Sequence, residues 1–195
     1  MTEIELKARV ADRDALVARL NEIAFFRQQV RRDDEYWGKA EAPKRKIRIR
    51  RELSSAPDGT KVNSCLLTYK RKEALELEGV VTEVNDELET CIDDPLPLET
   101  FFFDNGFSVM LKKHKDVMDW SFPVKHPVLG NVDALFELCN VPPLGDFLEI
   151  EILSESADEK IVASLRKVLL DLLDLTGIPR SCIENRYYSE MLTEV

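Results

Sequence analysis

Apolar residues recur along this chain with two different periods, and the two alternate from one segment to the next. A spacing of three to four marks helices. Asp12 is placed to cap one that runs to about Phe26, with Leu16, Leu20 and Ile23 on one stripe and Arg13, Arg19 and Glu22 largely off it. A shorter helix is expected over 98–105, ended by Gly106. Ser156 and Glu159 form a capping-box pattern ahead of a third, which carries Ile161, Leu165, Val168, Leu169 and Leu172 and stops at Thr176-Gly177 with Pro179 beyond. A last short helix is expected within 180–192. A spacing of two marks strands over approximately 3–10, 46–52, 64–72, 81–91, 107–115 and 147–153. Asp58-Gly59 reads as the turn of a hairpin between the second and third. Strands that follow one another without helical crossovers predict an antiparallel sheet, hence an α+β fold. No repeat, low-complexity tract or dividing linker interrupts 1–195, so a single domain is expected.

The charged positions alternate as strictly as the apolar ones. Glu3, Glu5 and Lys7 oppose Ile4, Leu6 and Ala8; Lys46, Arg48 and Arg50 oppose Ile47 and Ile49; Glu149 and Glu151 oppose Leu148, Ile150 and Ile152. Lys70 with Lys72, Glu87 with Glu89, and Lys113 with Lys115 repeat the spacing. One such strand is an ordinary solvated face. All of them together, in blocks of one sign and almost without neutral polar residues, describe something else: a sheet curled so that its charges line a wet interior. Such a cavity must hold water, because an unpaired buried charge costs several kcal/mol.

Lysines and arginines converging on one axis suit a polyanion, with arginine offering bidentate contacts to phosphate oxygens. Carboxylates in the same cavity would repel that polyanion unless a divalent cation lay between them. Magnesium and manganese take oxygen ligands, and magnesium commonly bridges one or two carboxylates to substrate phosphates. The pattern therefore predicts a metal-chelated phosphate chain as the occupant.

Bulk composition narrows the alternatives. The chain has 195 residues, 37 acidic against 27 basic, for a formal net charge of −10. That acidity argues against general nucleic-acid binding. The basic run 44–51 alternates as a strand does, so it is read as one rather than as a nucleic-acid patch. No apolar stretch approaches the roughly 20 residues of a membrane span, and Glu3, Glu5 and Lys7 interrupt the N-terminus where a signal peptide would be apolar. Cys65, Cys91, Cys139 and Cys182 are widely spaced with no CxxC pair, which predicts reduced thiols and a cytoplasmic location. Trp37 and Trp120 are read as packing residues, and His114 and His126 as structural ones.

At these same residues the sequence resembles the CYTH superfamily, the triphosphate tunnel metalloenzymes. E-I-E-L-K (Glu3 to Lys7) looks like the family's E-x-E-x-K signature. I-R-I-R (Ile47–Arg50), L-T-Y-K (Leu67–Lys70), K-H-K (Lys113–Lys115), L-G-D-F-L-E-I-E (Leu144–Glu151) and a terminal Y-Y-S-E-M-L (Tyr187–Leu192) follow in the family's order. The resemblance covers nearly the whole chain and is nearest the class IV adenylyl cyclase branch. It implies an eight-stranded antiparallel closed barrel, a triphosphate tunnel with flanking helices, and a Mg2+ or Mn2+ cofactor. Glu3, Glu5, Glu149 and Glu151 are implied as the metal carboxylates, supported by Glu87 and Glu89. Lys7, Lys46, Arg48, Arg50, Lys70, Lys113 and Lys115 are implied as triphosphate contacts, with Lys7 and Glu149 the catalytic pair. A homodimer is a further implication.

The activity implied first is conversion of ATP to cyclic AMP and pyrophosphate. The alternatives are a triphosphatase acting on inorganic triphosphate, thiamine triphosphate or a nucleoside triphosphate, and a module that binds a triphosphate without turnover. Two departures weigh against the cyclase. The cyclase branch usually has an aspartate ten residues before the glutamate matched by Glu149, where this chain has Cys139, a poor ligand for a hard cation. The usual K-x-R is also K-x-K here, which loses a bidentate donor at Lys115.

Overall fold

The computed structural model describes residues 2–42, 46–77, 80–156 and 158–194, with backbone alone for 2, 70–77 and 80–87. Eight strands form one antiparallel sheet: β1 (Thr2–Arg9), β2 (Phe25–Gly38), β3 (Lys46–Ser55), β4 (Lys61–Leu77), β5 (Val80–Cys91), β6 (Ser108–His126), β7 (Gly130–Val141) and β8 (Gly145–Ser154). Helices α1 (Arg13–Ile23), α2 (Leu96–Asp104), α3 (Glu159–Thr176) and α4 (Tyr188–Met191) flank or enter it. The strand order is β1-β8-β7-β6-β2-β3-β4-β5. The edge strands β1 and β5 approach within 8 Å, Cα to Cα, so the sheet curls round on itself. No hydrogen-bonded register joins them among the described residues; the closure is one of approach.

The outer face of the curl is apolar and covered. Ile4, Ala8, Phe136, Leu138, Leu148, Ile150 and Ile152 pack there against Leu16 and Leu20 of α1 and Val162, Leu165, Leu169 and Leu172 of α3. Further round, Phe102 of α2 covers Trp37 and Ile49. Both tryptophans lie in these outer cores, Trp120 donating to Asn21 Oδ1 at 2.8 Å. Each buried aliphatic side chain contributes about 1.5–3 kcal/mol, so the outer cores hold the charged inner face in place.

Several expected boundaries shift. The first helix ends at Ile23, because Phe25 and Phe26 open β2, where Phe26 lies edge-on to Trp120. The third helix is capped by Asp158, whose carboxylate accepts from Lys160 N and Ile161 N, in place of the Ser156–Glu159 box. Its stop is as expected, with Gly177 in the left-handed region at φ 84° that a side chain would strain. The segment 180–192 is a 3-10 turn at Arg180–Cys182 and the single turn of α4, with extended chain between. The Asp58-Gly59 hairpin joins β3 to β4, with Asp58 accepting from Thr60 N. Strands β2 and β7 carried no period-two signal. The first is nearly all polar on both faces, and the second is apolar on both.

Candidate functional site

Residues directly opposite one another in an antiparallel ladder share a face. Lys7 stands opposite Glu149, which stands opposite Glu137 on β7, and Glu5 stands opposite Glu151. Across β6 and β2, Lys115 pairs with Arg32 and Lys113 with Asp34. On β3, Arg50 lies opposite Asp34 and Arg48 opposite Tyr36, and the row continues through Thr68 to Glu89. These residues all point into the curl, so the alternation in sequence becomes a charged interior.

The basic side is tightly paired. Arg50 grips Asp34 with Nε and Nη2 at 2.7 and 3.1 Å, and Lys113 Nζ reaches the same carboxylate at 3.0 Å. Burial alone would raise Asp34, but Lys113 and Arg50 outweigh it and hold the carboxyl well below its usual range. Arg48 donates to Thr68 Oγ1 at 3.0 Å and approaches Glu89 at 3.4 Å, while its buried Nε has no partner. Lys115 Nζ donates to Glu149 at 2.6 Å, and Arg32 bridges Glu52 and Glu137 at 2.8 Å each. Buried pairs of this kind contribute little net stability, yet removing one partner is costly. Their arrangement is the informative part: Arg50 holds a carboxylate through two N–H groups, a geometry that also fits phosphate oxygens.

Along β1 and β8 the inward carboxylates outnumber the cations. Burial, together with Glu149 and Glu3, pushes Glu5 up to about 8, although water reaches its side chain. Burial together with Glu137 and Glu3 pushes Glu151 up to about 9. Glu3, Glu5 and Glu151 repel one another across β1 and β8 and carry the oxygen ligands that a hard divalent cation takes. Glu149 differs. Burial would raise it, but Lys115 dominates and holds it ionised far below the usual range. A second acidic group comprises Glu137, Cys139 and Glu149, whose ligand atoms lie within 4.8 Å of one another. There Lys115 and Arg32 already supply the counter-charge.

The C-terminal chain enters this interior. Glu184 N donates to Lys7 O, and the Glu184 carboxylate receives Arg9 and Arg186. Helix α4 then seats Tyr188 and Met191 against an inward apolar patch of Val30, Val117, Cys139, Val141 and Phe147. The Tyr188 ring lies 4.4 Å from Lys7 Nζ, 5.2 Å from Lys115 Nζ and 5.4 Å from Lys113 Nζ.

The structure thus brings Glu3, Glu5, Glu149 and Glu151 into the interior along β1 and β8 and Arg48, Arg50, Lys113 and Lys115 along β3 and β6, the two rows meeting where Lys115 holds Glu149. Lys46 is half-buried at the end of the basic row. Glu89 is there but largely exposed. The side chains of Lys70, Lys72 and Glu87 lie outside the described residues; the backbone register sets Lys70 opposite Glu87. His114 points outward to Asp33 and Asp116, and His126 binds Ser164 and the backbone at 128–129. Cys139 is a buried strand residue, its Sγ 3.5 Å from Glu149 Oε2, so the departure noted in the sequence falls inside the site. Sequence reasoning missed Arg32, Asp34, Tyr36, Glu137 and Tyr188. The Arg32-x-Asp34-x-Tyr36 spacing and the Glu137-x-Cys139 spacing were available signals.

The sequence matches no protein-family model and no curated protein. Solved structures do match over nearly the full chain. A proposed adenylate cyclase from Vibrio parahaemolyticus is 19% identical with a TM-score of 0.70, covering 99% of this chain and 98% of that one. A proposed adenylyl cyclase from Hippeastrum, for which a dominant triphosphatase activity is described, is 16% identical with a TM-score of 0.60 over 98% and 94%. A chain of the Schizosaccharomyces pombe Mediator head module is 11% identical with a TM-score of 0.60 over 91% and 95%. The chain shares the fold of these structures. A fold shared by cyclase-like proteins and a Mediator subunit does not fix an activity, so the activity must be argued from the side chains.

Proposed function

We propose that the chain is a metal-dependent CYTH enzyme that processes a small triphosphate, and that its reaction is hydrolysis: triphosphate and water give diphosphate and phosphate. One observation carries this reading, the meeting of a basic row and a carboxylate row inside the curl. Paired arginines and lysines on β3 and β6, including a buried Arg48 N–H without a hydrogen-bond partner, adjoin carboxylates on β1 and β8 that burial, and then their neighbours' charge, raise. A magnesium-chelated triphosphate matches both halves at once.

On this reading Arg48, Arg50, Lys113 and Lys115 exchange their carboxylate partners for phosphate oxygens, and Lys7 completes the cradle. Lys46 and Lys70 extend it, with Glu87 and Glu89 beside them as supporting carboxylates. Glu3, Glu5, Glu149 and Glu151 hold Mg2+ or Mn2+, which supplies charge neutralisation of the phosphates and polarisation of the bond that breaks. Lys115, held by Glu149 in this structure, would turn to a phosphate oxygen, which would leave the Glu149 carboxylate available to a cation.

Conversion of ATP to cyclic AMP is the second reading. Cys139 weighs against it, being a buried thiol beside Glu149 where the cyclase branch has a carboxylate. Trp37 and Trp120 offer the base no stacking surface, since both are committed to outer cores. Incubation with ATP and with inorganic triphosphate, each in Mg2+ and in Mn2+, followed by chromatography, tests the assignment. Phosphate release from either supports hydrolysis. Cyclic AMP would install the cyclase reading instead, and unchanged substrates in all mixtures would overturn both.

A further inference from the structure

The Tyr188 ring has three ammonium groups around it, and nothing in the catalytic scheme above uses it. Lys7, Lys113 and Lys115 come from two strands, β1 and β6, that are not neighbours in the sheet. Three like charges converging on one point repel each other. Lys113 has Asp34 and Lys115 has Glu149 as counter-ions, whereas Lys7 Nζ is held by the Arg186 carbonyl at 2.6 Å. The negative face of an aromatic ring attracts ammonium groups within about 6 Å, a limit all three meet. The ring is itself fixed, standing edge-on to Phe147 at 5.1 Å and 86°. Its hydroxyl is buried beside the Glu149 carboxylate.

We propose that Tyr188 is a positioning residue that gathers Lys7, Lys113 and Lys115 into one anion cradle before the ligand arrives. The inference rests on the triphosphate reading and adds to it: affinity for the triphosphate depends on a residue of the C-terminal tail that lies on none of the charged strands. Pre-gathering spares the ligand the ordering of three long side chains. The Tyr-Ser-Glu-Met turn at 188–191 is then part of the site, and the tail segment that ties Glu184 to β1 fixes the depth at which the ring sits.

The test compares four full-length proteins: wild type, Tyr188→Phe, Tyr188→Leu and Leu192→Ala. Leu192 packs on the same apolar patch and makes none of the three ammonium contacts, so its truncation measures loosening of the tail alone. Without ligand, the lysine side-chain methylene protons of the wild type should show upfield ring-current shifts that Phe preserves and Leu abolishes. Calorimetric titration with inorganic triphosphate and Mg2+ should give Kd values within about threefold of wild type for Tyr188→Phe and Leu192→Ala, and a loss of about tenfold or more for Tyr188→Leu. Equal loss in Tyr188→Phe would assign the effect to the hydroxyl beside Glu149, and equal loss in Leu192→Ala would assign it to the seating of the tail; either result, or unchanged affinity in Tyr188→Leu, would overturn the proposal. Ring-current shifts in a wild type that binds no triphosphate would mean that the cradle exists and the triphosphate reading fails. Absence of the shifts in a wild type that does bind would mean the reverse.

Discussion

Asp34 is the side chain on which the basic half of the interior turns. Its carboxylate is fully buried between Arg50 and Lys113, and both cations depend on it. Asp34→Asn should lower the unfolding free energy by about 3–5 kcal/mol, the usual effect of stranding a buried charge, read from the shift of a urea midpoint. The pH dependence has a definite sign. A carboxyl held below its ordinary value contributes stability above about pH 4 and loses it as pH falls further. The gap between wild type and Asp34→Asn should therefore be constant at neutral pH and narrow only below about 4; a gap that narrows between 6 and 8 would contradict the pairing. Glu149 makes a contrasting case. Glu149→Gln keeps an oxygen for Lys115 but removes the charge, and should reduce triphosphate turnover by at least about a hundredfold while the protein remains folded by circular dichroism. Wild-type turnover in that variant would remove Glu149 from the reaction. Glu149 could be found from alternation in the sequence, whereas Asp34 could not. In the run R-R-D-D-E-Y both faces are charged, so period two has nothing apolar to contrast with.

Elements were legible in proportion to how one-sided they are. β1, β3 and β8 each bury one apolar face on the helices and present one charged face inward, so alternation found them. β7 has apolar residues on both faces, because its inner side meets α4 through Cys139 and Val141. Its pattern therefore blurs, and Glu137 was missed with it. β6 was found only in its first half, since beyond Lys115 its inner face turns from lysine to Val117. Caps behave similarly: Ser156 fits a capping box in sequence, but the chain between β8 and α3 places Asp158 one residue before the helix. Asp158→Ala should cost about 1 kcal/mol of stability, and Ser156→Ala should cost less. The reverse ranking in thermal or urea unfolding would restore the box.

At the scale of the whole molecule, an acidic protein carries a basic cradle, and only the fold reconciles the two. The net charge is −10, yet Arg50, Lys113 and Lys115 point inward and each holds a carboxylate. Alternation said which residues share a face. It did not say that β1 approaches β5, nor that the C-terminus folds back to put Tyr188 among the lysines, because both are long-range contacts with no local pattern. The central claim is that the enclosed charges hold and cleave a magnesium-chelated triphosphate. The most direct test is a 31P NMR time course of the protein with inorganic triphosphate and Mg2+. The account predicts loss of the triphosphate resonances with equal appearance of diphosphate and phosphate, abolished by EDTA. Triphosphate resonances that neither diminish nor broaden in the presence of stoichiometric protein would contradict it.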